Sequence, residues 1–173
     1  MSQRLARDHE DLDTLRDELC AALEGSDVRE IYRRLDLFWA RLAIHIRAEH
    51  LDLFPAILHA LSSSEDVAQA QHTIEALRRD HDFFMHELAK AIATMRGLLN
   101  ATDRKLINEE QESVRRIIAA VRERLSAHNS MEENEVYLWP ARLLNEVEQA
   151  ELHERVEVEL RRIPPRFSNN EGV

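Results

Sequence analysis

His9, His45, His81 and His128 each fall on a stripe of residues spaced three and four apart that is otherwise apolar. Glu49 and Glu132 follow two of them by four residues. On a helix that step is about 40° of azimuth, so each pair shares a face. A carboxylate withdrawn from water without a partner costs several kcal/mol, so six such groups in oily seams need a common partner. Imidazoles and carboxylates without a thiolate are the donors that iron or manganese accepts, and that carboxylate-bridged metal pairs use. Two readings compete: a dinuclear metal site, and a hydrated polar layer that fixes the register of a helical bundle. A single histidine on an apolar face is more often a satisfied core residue than a ligand. Four at one stripe position, with two glutamates a turn further on, favour the metal pair.

Five helical segments position these groups, read from apolar spacing and breakers: residues 2–23, 27–61, 66–99, 103 through His128 towards Trp139-Pro140, and 141–163. Gly25 suits the first stop, Asp27 suits an N-cap, and Pro55 bends the last turns of the second helix. The second helix offers Ile31, Leu35, Phe38, Leu42, His45 and Glu49 to a core. The third offers Val67, Ala70, Ile74, Leu77, His81, Phe84, Leu88 and Met95. The fourth offers Val114, Ile117, Val121, Leu125, His128 and Glu132, and the first offers Leu5, His9, Leu12 and Leu19. Short loops between long helices make neighbours antiparallel, so the fold expected is an all-α, up-down antiparallel four-helix bundle with an additional C-terminal helix. Residues 1–163 form the one domain and 164–173 a flexible tail. Counting from the loops puts His9, His45 and His81 near one level. His128 lies about 25 residues into its helix against about 17 for its partner, so the fourth helix must start late or overhang. Leu152, Val156, Leu160 and Ile163 of the last helix face either the bundle or a second copy, which would make a homodimer.

The 173 residues suffice to bury a core. Only three Gly and four Pro occur, consistent with helices. A formal net charge of −10 argues against a nucleic-acid surface, which needs a basic stripe. The single Cys20 can make neither an internal disulfide nor a thiolate cage. No apolar run approaches the ~20 residues that span a bilayer, and "MSQRLARDHEDL" shows no secretory h-region. A cytoplasmic protein is expected.

The chain resembles the hemerythrin-like, or HHE cation-binding, domains. The likeness is carried by "DHEDL" near the N-terminus, "HIRAEHLDLFP", "RRDHDFF" and "HNSMEENEVYLWP", and covers about residues 3–144. It implies a non-haem di-iron centre in which His9 and His45 bind one iron and His81 and His128 the other. Glu49 and a carboxylate after His128 bridge them, and manganese or zinc are substitutes. Two departures stand out. Where the oxygen carriers place a further histidine, one turn before His81, this chain has Leu77. The carriers also place the second bridging acid five residues after the fourth-helix histidine, and other members four. Here Glu132 and Glu133 occupy both positions, and Glu132 is favoured because i+5 falls about 140° away on an unbulged helix.

An internal likeness supports a pseudo-twofold site: "DHEDL" answers "DHDFF", and His45…Glu49…Leu53-Phe54-Pro55 answers His128…Glu132…Leu138-Trp139-Pro140. Two histidines and one carboxylate per half open a position on both metals. His50 is read as an exposed boundary residue, with a reach to the centre as the lesser alternative. His59, His72, His86 and His153 face solvent, Met85 and Cys20 are packing, and Phe38, Phe54, Phe84 and Trp139 are core that walls the site. The expected function is binding or sensing of dioxygen, peroxide or nitric oxide. Iron storage or scavenging, and oxidase- or peroxidase-like catalysis, stand as alternatives. A metal-free helical interaction module comes last.

Overall fold

In the computed structural model, Asp27 and Asp103 each begin a long helix by accepting backbone N–H groups two and three residues on, which satisfies donors that a helix start otherwise leaves orphaned. The structure describes residues 2–62 and 65–167, with side chains from residue 4 onward. Residues 63–64 of the expected polar loop and 168–173 of the expected tail lie outside them. The elements are α1 (Ser2–Leu23), α2 (Val28–Ala48), a π turn (Glu49–Leu53), α3 (Phe54–Ala60), α4 (Val67–Leu98), α5 (Arg104–Asn134), α6 (Trp139–Leu143) and α7 (Glu146–Leu160), with 3-10 turns at Val136–Leu138 and Pro165–Phe167. The long helices α1, α2, α4 and α5 make the all-α up-down bundle, and α7 is the additional C-terminal helix that packs across α2 and the π turn.

Departures from the expected boundaries have local causes. The second segment runs through to Ala60, but as one widened turn. The Phe54 N–H reaches back five residues to the Glu49 carbonyl, just before Pro55, which has no N–H to offer. The last helix begins at Glu146 rather than 141, where Asn145 and Glu148 form a capping box. In α5 the buried residue is Ile118 and not Ile117, which packs half-buried at the edge of the core. The level mismatch is resolved by overhang: the first turns of α5 stand largely exposed, Leu106 among them.

Leu152, Val156 and Leu160 are buried in this chain's own bundle, whereas Ile163 is exposed. Three of the four stripe residues that the sequence offers to bundle or partner are thus spent internally. Arg166 of the last 3-10 turn forks onto Asp36 of α2 at 3.0 and 3.1 Å.

Two apolar clusters fill the bundle. One includes Leu12, Leu42, Phe84 and Leu125. The other includes Leu5, Ala48, Leu77 and Val136. On every long helix the site residues fall between a member of the first and a member of the second, so the polar layer is sandwiched between two dry ones. Burying each large side chain from water contributes about 1.5–3 kcal/mol, which holds four helices at the spacing the polar layer requires.

Candidate metal centre

The bundle brings His9, His45, Glu49, His81, His128 and Glu132 into one buried cluster, each at most 3% exposed. The Nε2 atoms of His9 and His45 lie 3.1 Å apart, and those of His81 and His128 lie 2.9 Å apart. Each glutamate presents one oxygen to each pair. Glu49 sets Oε1 at 3.5 Å from His45 Nε2 and Oε2 at 3.3 Å from His81 Nε2. Glu132 sets Oε2 at 3.3 Å from His9 Nε2 and Oε1 at 3.0 Å from His128 Nε2.

The outer ring nitrogens are also matched. His45 Nδ1 meets Asp8 Oδ2 at 2.9 Å, His9 Nδ1 meets Glu133 Oε1 at 2.8 Å, and His128 Nδ1 meets Asp80 Oδ2 at 3.2 Å. A carboxylate only accepts, so these three imidazoles carry a proton on Nδ1 and donate it. Their Nε2 atoms are left facing each other and the glutamate oxygens. Such orientation by an outer carboxylate is what metal-binding imidazoles usually have. The carboxylates are held in turn: Arg41 donates to Asp8 at 2.8 Å, and Arg124 to Asp80 at 2.7 Å.

The expected roles divide as follows. Glu132 faces the cluster, whereas Glu133 is 43% exposed and serves His9 from outside. His50, expected at an exposed boundary, is instead half-buried with Nε2 2.9 Å from His81 Nδ1. Burial, with the His81 ring and Arg78, pulls its pKa down, so a neutral His50 can accept from His81. His59, His72, His86 and His153 are exposed. Phe54 stacks on His81 at 6.2 Å and Phe84 meets His128 edge-on at 5.3 Å, while Phe38 sits deep in an apolar cluster and Trp139 packs half-buried. Cys20 lies in a surface groove with Leu23 and Arg115.

Sequence reasoning missed Asp8, Asp80 and Tyr137. The two aspartates had a visible signal, since each immediately precedes a cluster histidine; each serves the histidine of the neighbouring helix. Tyr137 had none. It is fully buried, with Oη 2.7 Å from Glu49 Oε1 and 3.2 Å from Glu132 Oε2.

The electrostatics call for cations. Burial pulls the His45 imidazole down, yet Glu49 and Asp8 overcome it and hold its pKa up at about 10. His128 is raised likewise, against burial, by Glu132 and Glu49. Burial pushes the Glu49 carboxyl up, but His45 and His81 hold it well below the usual carboxylate range. Burial, Glu132 and Glu49 push the Tyr137 phenol well above its ordinary value. His45 therefore holds a second proton near neutral pH when no metal competes for the site.

The residues fit a metal better than they fit protons. Glu49 Oε2 and Glu132 Oε1 are fully buried and have no hydrogen-bond partner, although imidazole nitrogens lie beside both. Two donor groups meet the spacing that a cation needs: Glu49, His81, His128 and Glu132, and His9, His45 and Glu132. A surface cavity of about 360 Å³ between α1 and α5 has His9 and Glu133 in its wall.

An all-α bundle with a buried layer of four imidazoles and two carboxylates defines a helical cation-binding protein. The chain belongs to the hemerythrin family, whose HHE cation binding domain matches residues 1–139. No curated protein and no solved structure matches it. Among the described residues no helix is long and apolar enough to cross a membrane.

Proposed function

We propose that the chain is a cytoplasmic non-haem di-iron protein that engages dioxygen or a related small oxidant such as peroxide or nitric oxide. The observation that carries this reading is that Glu49 and Glu132, both fully buried, each face both histidine pairs, while Glu49 Oε2 and Glu132 Oε1 make no hydrogen bond. His9 and His45 would hold one ion, His81 and His128 the other, and the two glutamates would span them. Bound iron would supply redox change and positions for a small ligand.

The chain's own residues set the conditions. Asp8, Asp80 and Glu133 fix the imidazoles with Nε2 inward, and Phe54 and Phe84 keep water from His81 and His128. Leu77 stands where the carriers have an extra nitrogen donor, which favours reaction or sensing over reversible carriage. Metal analysis and visible spectroscopy of protein from iron-replete cells test the reading. The expected result is about two irons per chain, with ligand-sensitive absorption on adding azide or peroxide. Protein that carries no transition metal, and melts no higher when iron is added, would return the site to a structural polar layer.

A further inference from the structure

Tyr137 is the one group at the centre that neither the family likeness nor the helix periodicity brings there. Its Oη lies 3.1 Å from His9 Nε2, 3.2 Å from His45 Nε2, 2.7 Å from Glu49 Oε1 and 3.2 Å from Glu132 Oε2. Those four atoms are the donors assigned to a single ion. They are themselves neighbours, at 3.1 Å between the nitrogens, 3.3 Å from His9 to Glu132 and 3.5 Å from His45 to Glu49.

Adjacent donors on one ion, with bonds near 2.1 Å at right angles, stand about 3.0 Å apart. Oη meets that spacing to all four donors at once. Hydrogen bonding alone accounts for less. A phenol has one proton, which the 2.7 Å contact to Glu49 uses. At most one proton lies between the Nε2 atoms of His9 and His45, 3.1 Å apart, so at least one of them, together with Glu132 Oε2, meets the phenol oxygen as a further acceptor. A cation among five donors satisfies all of these contacts together. Among the described residues the other half has no such counterpart: no fifth oxygen joins His81, His128, Glu49 Oε2 and Glu132 Oε1, and Phe54 and Phe84 pack against the two rings.

We infer that Tyr137 is a metal ligand, its phenolate oxygen binding the ion held by His9 and His45, an inference that rests on the di-metal reading above. On binding, the O–H bond breaks and an Oη–metal bond forms with the electron pair of oxygen. The proton leaves to solvent, and no electron is transferred in that step. The two ions are then unequal, with five protein donors on one and four on the other.

Ferric iron bound to a phenolate absorbs visible light by charge transfer, and resonance Raman excitation in that band enhances the ring vibrations of the bound tyrosine. The test uses the full chain loaded anaerobically with iron(II) and then oxidised with dioxygen. Iron content is measured beside the spectra. The only other tyrosine is Tyr32, half-buried on α2 against an apolar cluster. The expected result is tyrosine modes in the wild type and in Tyr32→Phe, lost in Tyr137→Phe at equal iron content. Two irons per wild-type chain without tyrosine modes would overturn the ligation and leave the di-iron reading standing. No iron in the wild type would overturn both. Should Tyr137→Phe fail to fold, the wild-type and Tyr32→Phe spectra still decide.

Discussion

Replacing Glu49 by alanine removes one oxygen from each histidine pair, because Oε1 faces His45 and Oε2 faces His81. Structural zinc bound by four ligands is worth about 10–16 kcal/mol, or roughly 2.5–4 kcal/mol per ligand. The same loss at each ion lowers both affinities by between two and three orders of magnitude, roughly. At free metal about a hundredfold above the wild-type Kd, two sites stabilise the fold by roughly 5 kcal/mol, and a hundredfold weaker variant keeps under about 1 kcal/mol of it. For a domain of this size the difference is about 10–15 °C in Tm. Anaerobic equilibrium dialysis against iron(II), with melts recorded with and without chelator, reads both quantities. His9→Ala is the internal control, since its Nε2 faces only one ion and the loss should be confined to one metal. If Glu49→Ala keeps two metals at wild-type affinity, or loses only one, the spanning role is wrong. If instead it destabilises chelated protein by about 3–5 kcal/mol, the penalty for breaking a buried charged pair, the structural-layer account gains.

Further outcomes follow from the same geometry. Glu132→Ala should lose metal at both sites, whereas Glu133→Ala should lower affinity at one site by only about 10–100-fold, the usual effect of an outer partner; dialysis of the two variants side by side checks this. Asp8→Asn should weaken binding by a similar factor through misdirection of His45, at unchanged metal stoichiometry when iron is in excess. Leu77→His should add a nitrogen beside His81 and slow autoxidation in stopped-flow traces, at about 1–3 kcal/mol of lost apolar packing measured by melting the chelated protein. The pKa of His45 is raised from 6.5 to about 10, so its contribution to the stability of chelated protein is full below pH 6.5 and lost as pH rises to about 10. Chelated protein should therefore melt lower across that window while iron affinity rises, because the competing proton leaves.

The six inward groups were legible because a helical stripe has one face and each of them breaks its apolar pattern. Helix starts at Asp27 and Asp103 were legible for the same local reason, a short acceptor before an apolar run. The outer partners were not, because azimuth along one helix does not say which flank meets a neighbour. Glu133 does fall off the stripe, as its spacing requires, yet that flank meets His9 of α1. His50 lies on the flank that meets His81 of α4. The Asn145–Glu148 capping box was readable and would have placed the last helix start correctly.

Tyr137 was hidden by the place where the two halves stop matching. From Glu49 to Pro55 is six residues, and from Glu132 to Pro140 is eight. The shorter half stays helical through one widened turn, and Asp52, three before its proline, turns outward to Arg155 of α7 at 3.2 Å. The longer half cannot keep that path. α5 ends at Asn134, Glu135 leaves the helical region at φ −129° and ψ −70°, and the 3-10 turn that follows carries Tyr137, also three before its proline, into the centre. Equivalent positions thus point to opposite sides of the wall. Two inserted residues convert a near-symmetric cluster into one with an oxygen-rich side at His9 and His45 and an aromatic-walled side at His81 and His128. If the centre holds two ions as proposed, they would sit in two different environments, and the fold would favour unequal roles for them.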